Sequence, residues 1–386
     1  MAEERLTTPV ELLWDLVFVF AITQVTTLLA LDLTWAGFGR AMLVLALVWW
    51  AWSAFVWAAN AQSPDSATLR ATLLVALVLI FVAGLAIPHA FGSQSTLFAA
   101  TYAGVRLMHL ALYADASRRG QANWSAIAGF ALTVVIGMAM LIGGSFLGGW
   151  QRIVVWAAAA AIDYAGPAWL TRERLRGIQN VAVAHFAERY GLFVIICLGE
   201  SIVAIGVGAT AHPLDSATIA TVAAGLVITI GMWWIYFDRF AATAAQRLRE
   251  HDDPVLAAAD AYSYLHLVIV AGIIVFAVGV RLAIRDVAEP LSEGARLALC
   301  GGLAAYLAGH TAFRLRLTGS IDGRKLLASA ALLVLFAAGG GLPAWAVAAL
   351  AAGGLTLLCV AEALAAPGTA LAPPRSLVAI RRRSAS

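Results

Sequence analysis

Charge is what this sequence has least of. Only 12% of its 386 residues are charged and 62% are hydrophobic, whereas soluble domains carry about 25% charged residues. Lysine is almost missing: all but one of the 25 basic residues are arginine, the exception being Lys325. Cysteine is scarce too. Cys197, Cys300 and Cys359 stand alone in separate apolar stretches, without metal-ligand spacing and without the pattern of a disulfide framework. There is no GxxxxGK[ST] phosphate loop, no HExxH pair and no Ser/His/Asp signal. No extramembrane stretch is long enough for nucleotide chemistry, which argues against an ATP-driven pump acting alone. The net charge of +3 gives no reason to expect a nucleic-acid partner. We therefore expect no enzyme activity, no catalytic residue, no cofactor and no metal. The start, Met-Ala-Glu-Glu-Arg with Glu11 and Asp15 close behind, does not read as a secretory signal.

What is present is a succession of long apolar runs, with a mean hydropathy of +0.87. A spanning helix needs about 20 such residues. Twelve windows qualify: 10–31, 37–60, 69–89, 94–115, 125–145, 150–170, 188–210, 216–239, 261–283, 294–313, 323–341 and 343–364. With the N-terminus inside, 17 of the basic residues fall in inner segments and five in outer loops. This bias orients the chain with both termini cytoplasmic. The expected fold is an all-α integral membrane protein in a bacterial inner membrane, with the lipid bilayer as its first partner and oligomeric state open.

The two halves resemble each other. Setting Glu11 on Glu188 places Thr23 on Glu200 and Gln24 on Ser201. Trp49-Trp50 matches Trp233-Trp234, Val82-Ala83-Gly84 matches Val270-Ala271-Gly272, and Tyr102 matches Tyr306, all in span order. Six spans per half bring both halves in from the same side, so the repeat is expected to be parallel, about an axis along the membrane normal. The expected organisation is a first six-helix repeat with its connecting loop over 1–180, a second over 181–365, and a disordered cytoplasmic tail over 366–386. The stretch 246–253 reads as a short solvated connection, and Trp49 and Trp50, near mid-span, as packing groups rather than an interfacial belt.

Within the spans, ionisable groups are few enough to be read singly. A charged residue at a helix centre costs roughly 2.5–3.5 kcal/mol on insertion scales. Glu200 stands at the middle of its span and Gly199 precedes it. Either it is a functional carboxylate or a hydrogen-bonded group joining helices. With Ser201, and with Thr23 and Gln24 across the repeat axis, it forms the first candidate site, for a small ion or solute at the midplane. Arg106 and His109 share a face of the fourth span with Tyr102. Arg106 keeps its charge and needs a partner, for which Glu200 and Asp163 are the candidates. A second, cytoplasmic-side group comprises Glu11, Asp15, His185, Glu188, Arg189 and Asp238. Glu11 has a simpler explanation as well, because Thr8-Pro9-Val10-Glu11 is a capping box with proline at the first helical position. His185 and Glu188, spaced i, i+3, have no third metal ligand.

Val10 to Thr27, VELLWDLVFVFAITQVTT, resembles the opening signature of the bacterial low temperature requirement A family, and His185 to Ile202, HFAERYGLFVIICLGESI, its second signature. Trp233 to Asp238 is similar to the family's eighth-span pattern. Leu13-Trp14 stands where aromatic pairs are usual. The resemblance implies a polytopic bacterial membrane protein with a role in growth at low temperature, and puts the family's characteristic polar residues on Glu11, Asp15, Glu188, Arg189, Glu200 and Ser201. It supplies no molecular activity. Three functions stay open: a secondary transporter or ion-conducting protein working through Glu200 and Arg106; a non-transporting protein that organises membrane in cold stress; and a lipid-active enzyme, if His185, Glu188 and Asp238 converge.

Overall fold

The computed structural model describes residues 7–60, 66–119, 124–166, 183–211 and 213–365. These residues form twelve long helices and no β-strand. They are α1 (Pro9–Leu31), α2 (Trp35–Asn60), α3 (Ala67–His89), α4 (Ser95–Arg118), α5 (Trp124–Ser145), α6 (Gly149–Ala165), α7 (Val183–Thr210), α8 (Ser216–Arg249), α9 (Pro254–Arg285), α10 (Glu293–Thr318), α11 (Gly323–Gly341) and α12 (Ala344–Leu364). Nine of them are long and apolar enough to cross a membrane: α1 to α4, α7 to α9, α11 and α12. The protein is a multi-pass membrane protein. Of the remaining three, α10 carries Glu293, Arg296, Arg314 and Arg316, which lower its hydropathy, and α6 is 17 residues long where the description ends at its C-terminus. The expected linker around 171–180 and the tail over 366–386 lie outside the described residues.

Helix ends follow the sequence closely where a cap exists. The Thr8–Glu11 capping box forms. Asp215, Asp253, Ser292 and Asp322 cap α8, α9, α10 and α11 by accepting a backbone N–H three residues on. Three boundaries depart from expectation. Helix α7 begins at Val183, not 188, so the polar run from His185 to Arg189 is helical. Helix α8 continues to Arg249, confining the solvated connection to Glu250–Asp253. Helix α9 starts at Pro254. Both long helices contain a wide π-type turn, at Tyr236–Phe240 and Ala259–Leu265. Such insertions displace the regular i→i−4 ladder and re-aim side chains.

Burial is inverted relative to a soluble bundle. Leu16, Val78, Leu132, Ile230 and Leu357 are exposed, and a surface of this kind fits lipid. Inside sit Trp14, Trp49, Trp52, Trp156, Tyr102, Tyr190, Tyr236, Tyr262 and Tyr306. Trp49 and Trp50 are buried, so they pack in the interior as the sequence suggested. Buried hydroxyls and indoles satisfy one another or a backbone carbonyl. Tyr102 donates to Leu47 O at 2.8 Å and Tyr306 to Met232 O at 2.5 Å.

Packing is tightest between α9 and α10. A methyl placed on Gly272 would lie 2.5 Å from the Tyr306 amide nitrogen, and one on Gly302 2.5 Å from that of Phe276. Backbones approach this closely only where both helices present small residues. Gly84, the expected counterpart of Gly272, faces Phe20 and Ala21 of α1 instead.

In the first half α1 packs on α2 and α3, α3 on α4, α4 on α5, and α5 on α6. In the second half α7 packs on α8 and α9, α9 on α10, α10 on α11, and α11 on α12. Helix α1 also meets α7 and α9, and α2 meets α7, so the halves join through their first helices.

Candidate functional site

Helices α1 and α7 lie side by side and run in the same direction. Their first turns meet (Glu11 with His185), and so do positions three turns further along (Thr23 with Glu200). Two polar clusters result.

The first is a buried ion-pair group. Arg189 donates from Nη2 to Asp15 Oδ1 at 2.6 Å and from Nε to Asp15 Oδ2 at 3.2 Å, a bidentate fork. Its Nη1 lies 3.1 Å from Glu11 Oε1. Glu11 Oε2 accepts from the backbone N–H and the hydroxyl of Thr8 at 2.8 and 2.9 Å, and His185 Nε2 stands 3.5 Å away. Trp52 Nε1 of α2 donates to Asp15 Oδ1 at 2.8 Å. Glu11, Asp15, His185 and Arg189 are each no more than 1% exposed. Glu11 is therefore both a capping residue and an ion-pair partner. The group ties α1, α2 and α7 together. Two carboxylates face one guanidinium. Glu188 is not part of it: its side chain is exposed on α7. Asp238 is exposed on the wide turn of α8. Of His185, Glu188 and Asp238, only His185 is buried.

The second cluster surrounds Glu200. Its Oε2 accepts from Thr23 Oγ1 at 2.5 Å and its Oε1 from Thr26 Oγ1 at 3.2 Å. The carboxylate borders a cavity of about 90 Å³ between α1, α7 and α9, lined also by Thr27, Ala277 and Arg281. No basic side chain stands within ion-pair distance of Glu200 among the described residues. Arg281, exposed at the rim, is the basic member of the lining. Gln24 does not line this cavity, and Ser201 is buried with no partner for its hydroxyl among the described residues. Glu200 is the eighteenth of the 28 residues of α7. At 1.5 Å per residue it lies roughly 25 Å from the start and 15 Å from the end. The site is displaced from the middle toward the end of the bundle away from the Arg189 cluster.

Arg106 belongs to neither cluster. It forms a bidentate pair with Asp163 of α6, Nε to Oδ2 at 3.0 Å and Nη2 to Oδ1 at 2.7 Å. Of the two partners the sequence offered, the structure selects Asp163. His109 lies near Arg106 on the same face of α4, in a different cavity from Glu200.

Sequence reasoning missed several members. Thr26 follows Thr23 by three residues on one helical face, a spacing that was there to be used. Trp52, Ser53, Tyr190 and Ser263 were not findable that way. Tyr190 and Ser53 hydroxyls lie 2.7 Å apart, Ser53 donates to Ser263 at 3.1 Å, and Trp57 Nε1 donates to Ser263 Oγ at 2.7 Å. This network exists because the wide turn of α9 brings Ser263 against α2.

Both helices that hold these clusters carry the segments singled out by sequence, and comparison with known proteins gives the same answer for the whole chain. The profile of the bacterial low temperature requirement A protein (LtrA) matches residues 7–361. The chain belongs to the LtrA family. An uncharacterized protein of Rhizobium meliloti (strain 1021) is 30% identical over 305 residues, covering 78% of this chain and 75% of that protein. No solved structure matches. The LtrA family membership fits the twelve-helix architecture and leaves the chemistry to be argued from the clusters themselves.

Proposed function

We propose that this LtrA-family protein is a secondary transporter or ion-conducting protein, not an enzyme, and that Glu200 is its proton- or cation-binding carboxylate. One observation carries the reading. Glu200 is a buried carboxyl beside a cavity, held by the hydroxyls of Thr23 and Thr26 and by no ion pair among the described residues. A carboxyl hydrogen-bonded to hydroxyls can gain or lose a proton, or exchange it for a cation, without breaking a salt bridge. Asp15 and Asp163, locked bidentately to arginines, cannot. An intramembrane acid of this kind marks ion pathways and proton relays.

Two parallel six-helix halves frame the site in this reading, with all twelve helices crossing an inner membrane and both termini cytoplasmic. The order of helix contacts is the same in both halves. In each, the tyrosine of the fourth helix donates to a backbone carbonyl of the second helix just before its tryptophan pair. Shared internal contacts of this kind support a duplicated unit. Cold-stress membrane organisation without transport is the second reading. The cavity at Glu200 weighs against it, since a purely structural bundle has no use for a carboxyl beside open space.

The test is proton- or cation-linked flux in proteoliposomes, wild type against Glu200→Gln. Loss of flux with normal insertion and elution supports the role. Equal flux removes Glu200 from the mechanism.

A further inference from the structure

A second cavity lies on the other side of the bundle, between α2, α4, α5, α6 and the wide turn of α9. It measures about 60 Å³. A water needs roughly 10–15 Å³ by this measure, so the space takes a group of about four heavy atoms. Its walls include Trp50, Tyr113, Phe130 and Tyr264. Its polar lining is unusual in kind. Trp50 Nε1, Arg106 Nη1 and His109 Nδ1 are all buried and all lack a protein partner among the described residues. Trp50, Arg106 and His109 are 5%, 2% and 4% exposed. Indole and guanidinium nitrogens only donate, whereas the His109 ring already donates to the Ala54 backbone, so the neutral ring presents an acceptor at Nδ1.

The oxygen acceptors nearby are spoken for. Both Asp163 oxygens take hydrogen bonds from Nε and Nη2 of Arg106, which turns that carboxylate to one edge of the guanidinium and leaves Nη1 on the other side. The Ser53 and Ser263 hydroxyls bond each other and Tyr190, and Tyr264 donates to Tyr164 O at 3.0 Å. A buried donor without an acceptor is costly, and two of them, Trp50 Nε1 and Arg106 Nη1, belong to residues that line this one space.

We propose that this cavity is a binding site for a small oxyanion of formate or nitrite size, held by Trp50 Nε1 and Arg106 Nη1, with His109 in its wall. The site is independent of the role assigned to Glu200. Aromatic walls exclude larger polar solutes, and the Arg106–Asp163 pair fixes the guanidinium so that Nη1 stays presented.

The probe is sodium formate on the purified full-length protein in detergent, read by saturation-transfer NMR on the formate proton, with nitrite as competitor. Wild type is expected to give a saturable signal that nitrite displaces. Trp50→Phe keeps the ring and removes the N–H, and Arg106→Lys keeps a cation for Asp163 and removes Nη1. Each weakens formate by about tenfold or more, the loss expected for one hydrogen bond to a charged group. Glu200→Gln binds formate as wild type does, whatever its flux. No saturable signal in wild type, or formate binding by a monodisperse Trp50→Phe protein equal to wild type, overturns the proposal. If Arg106→Lys fails to fold, Trp50→Phe decides alone.

Discussion

The Thr23 hydroxyl of α1 donates to the Glu200 carboxylate of α7 at 2.5 Å across 177 residues of chain. The same separation aligns the two signature segments of the sequence. Two positions that this offset sets on each other in the sequence are thus in contact in the fold. Thr26 completes the grip at 3.2 Å. The contact is asymmetric in chemistry: one half supplies the acid and the other supplies hydroxyls.

That asymmetry gives the first prediction. Thr23→Val removes one hydroxyl from the carboxylate and keeps the side-chain volume. A hydrogen bond to a charged group is worth about 1.5–3 kcal/mol and here it favours the unprotonated carboxylate, so the proton concentration that half-saturates the proposed uptake is expected to fall about tenfold or more. Thr26→Val, which loses the longer bond, shifts it less. Concentration-dependent uptake in proteoliposomes separates the two. Identical affinities in both variants and wild type would show that the hydroxyls do not tune Glu200.

How much of this was legible beforehand depends on the range of the interaction. The all-helical membrane fold followed from composition, and the helix start at Thr8 followed from local capping chemistry. The pairing of position 23 with position 200 has the same 177-residue offset that aligns the two signature segments, so it was legible in the sequence. The partner of Arg106 was not, since Asp163 and Glu200 were equally available in one dimension and only packing of α4 on α6 chooses. Glu188 misled because three residues on a helix separate buried from exposed: His185 and Arg189 face α1, and Glu188 does not. The Ser53–Ser263–Tyr190 network depends on the wide turn at Ala259–Leu265, and π-type turns leave no residue pattern comparable to a cap.

Arg189 gives the second prediction. Removing it leaves Asp15 buried without its cation, and breaking a buried pair costs about 3–5 kcal/mol. Arg189→Gln is expected to lower the thermal midpoint in detergent strongly and to open α1 to proteolysis. Asp15→Asn in the same chain should recover part of the loss, because the stranded charge is gone. Additive effects of the two substitutions, measured as a double-mutant cycle, would contradict the direct pairing.

The glycine contacts of α9 and α10 give a third. Gly272→Val forces the helices apart where the Tyr306 backbone has no room to move. Tyr306 then loses its reach to Met232 O, so the change propagates to α8. Overpacking of this type costs about 1–3 kcal/mol or more. Gly353→Val on α12, where a Cβ meets nothing within 4 Å, is the matched control and is expected to be neutral. Equal midpoints for the two variants would mean that the close approach is dispensable.

The Arg106–Asp163 pair gives the fourth, and it separates stability from charge. Asp163→Leu leaves Arg106 charged and unpartnered in the interior, which breaking of buried pairs prices at about 3–5 kcal/mol. Arg106→Leu strands Asp163 in the same way. The double replacement removes both charges together. Since buried pairs swapped for apolar residues of similar size are often neutral or stabilising, the double variant is expected to unfold at a higher temperature than either single one. A double variant as unstable as the sum of the singles would mean that the pair is bound into a wider polar network, through Tyr102 and Tyr164 beside it, and that its worth lies in positioning α6 and not in the two charges alone.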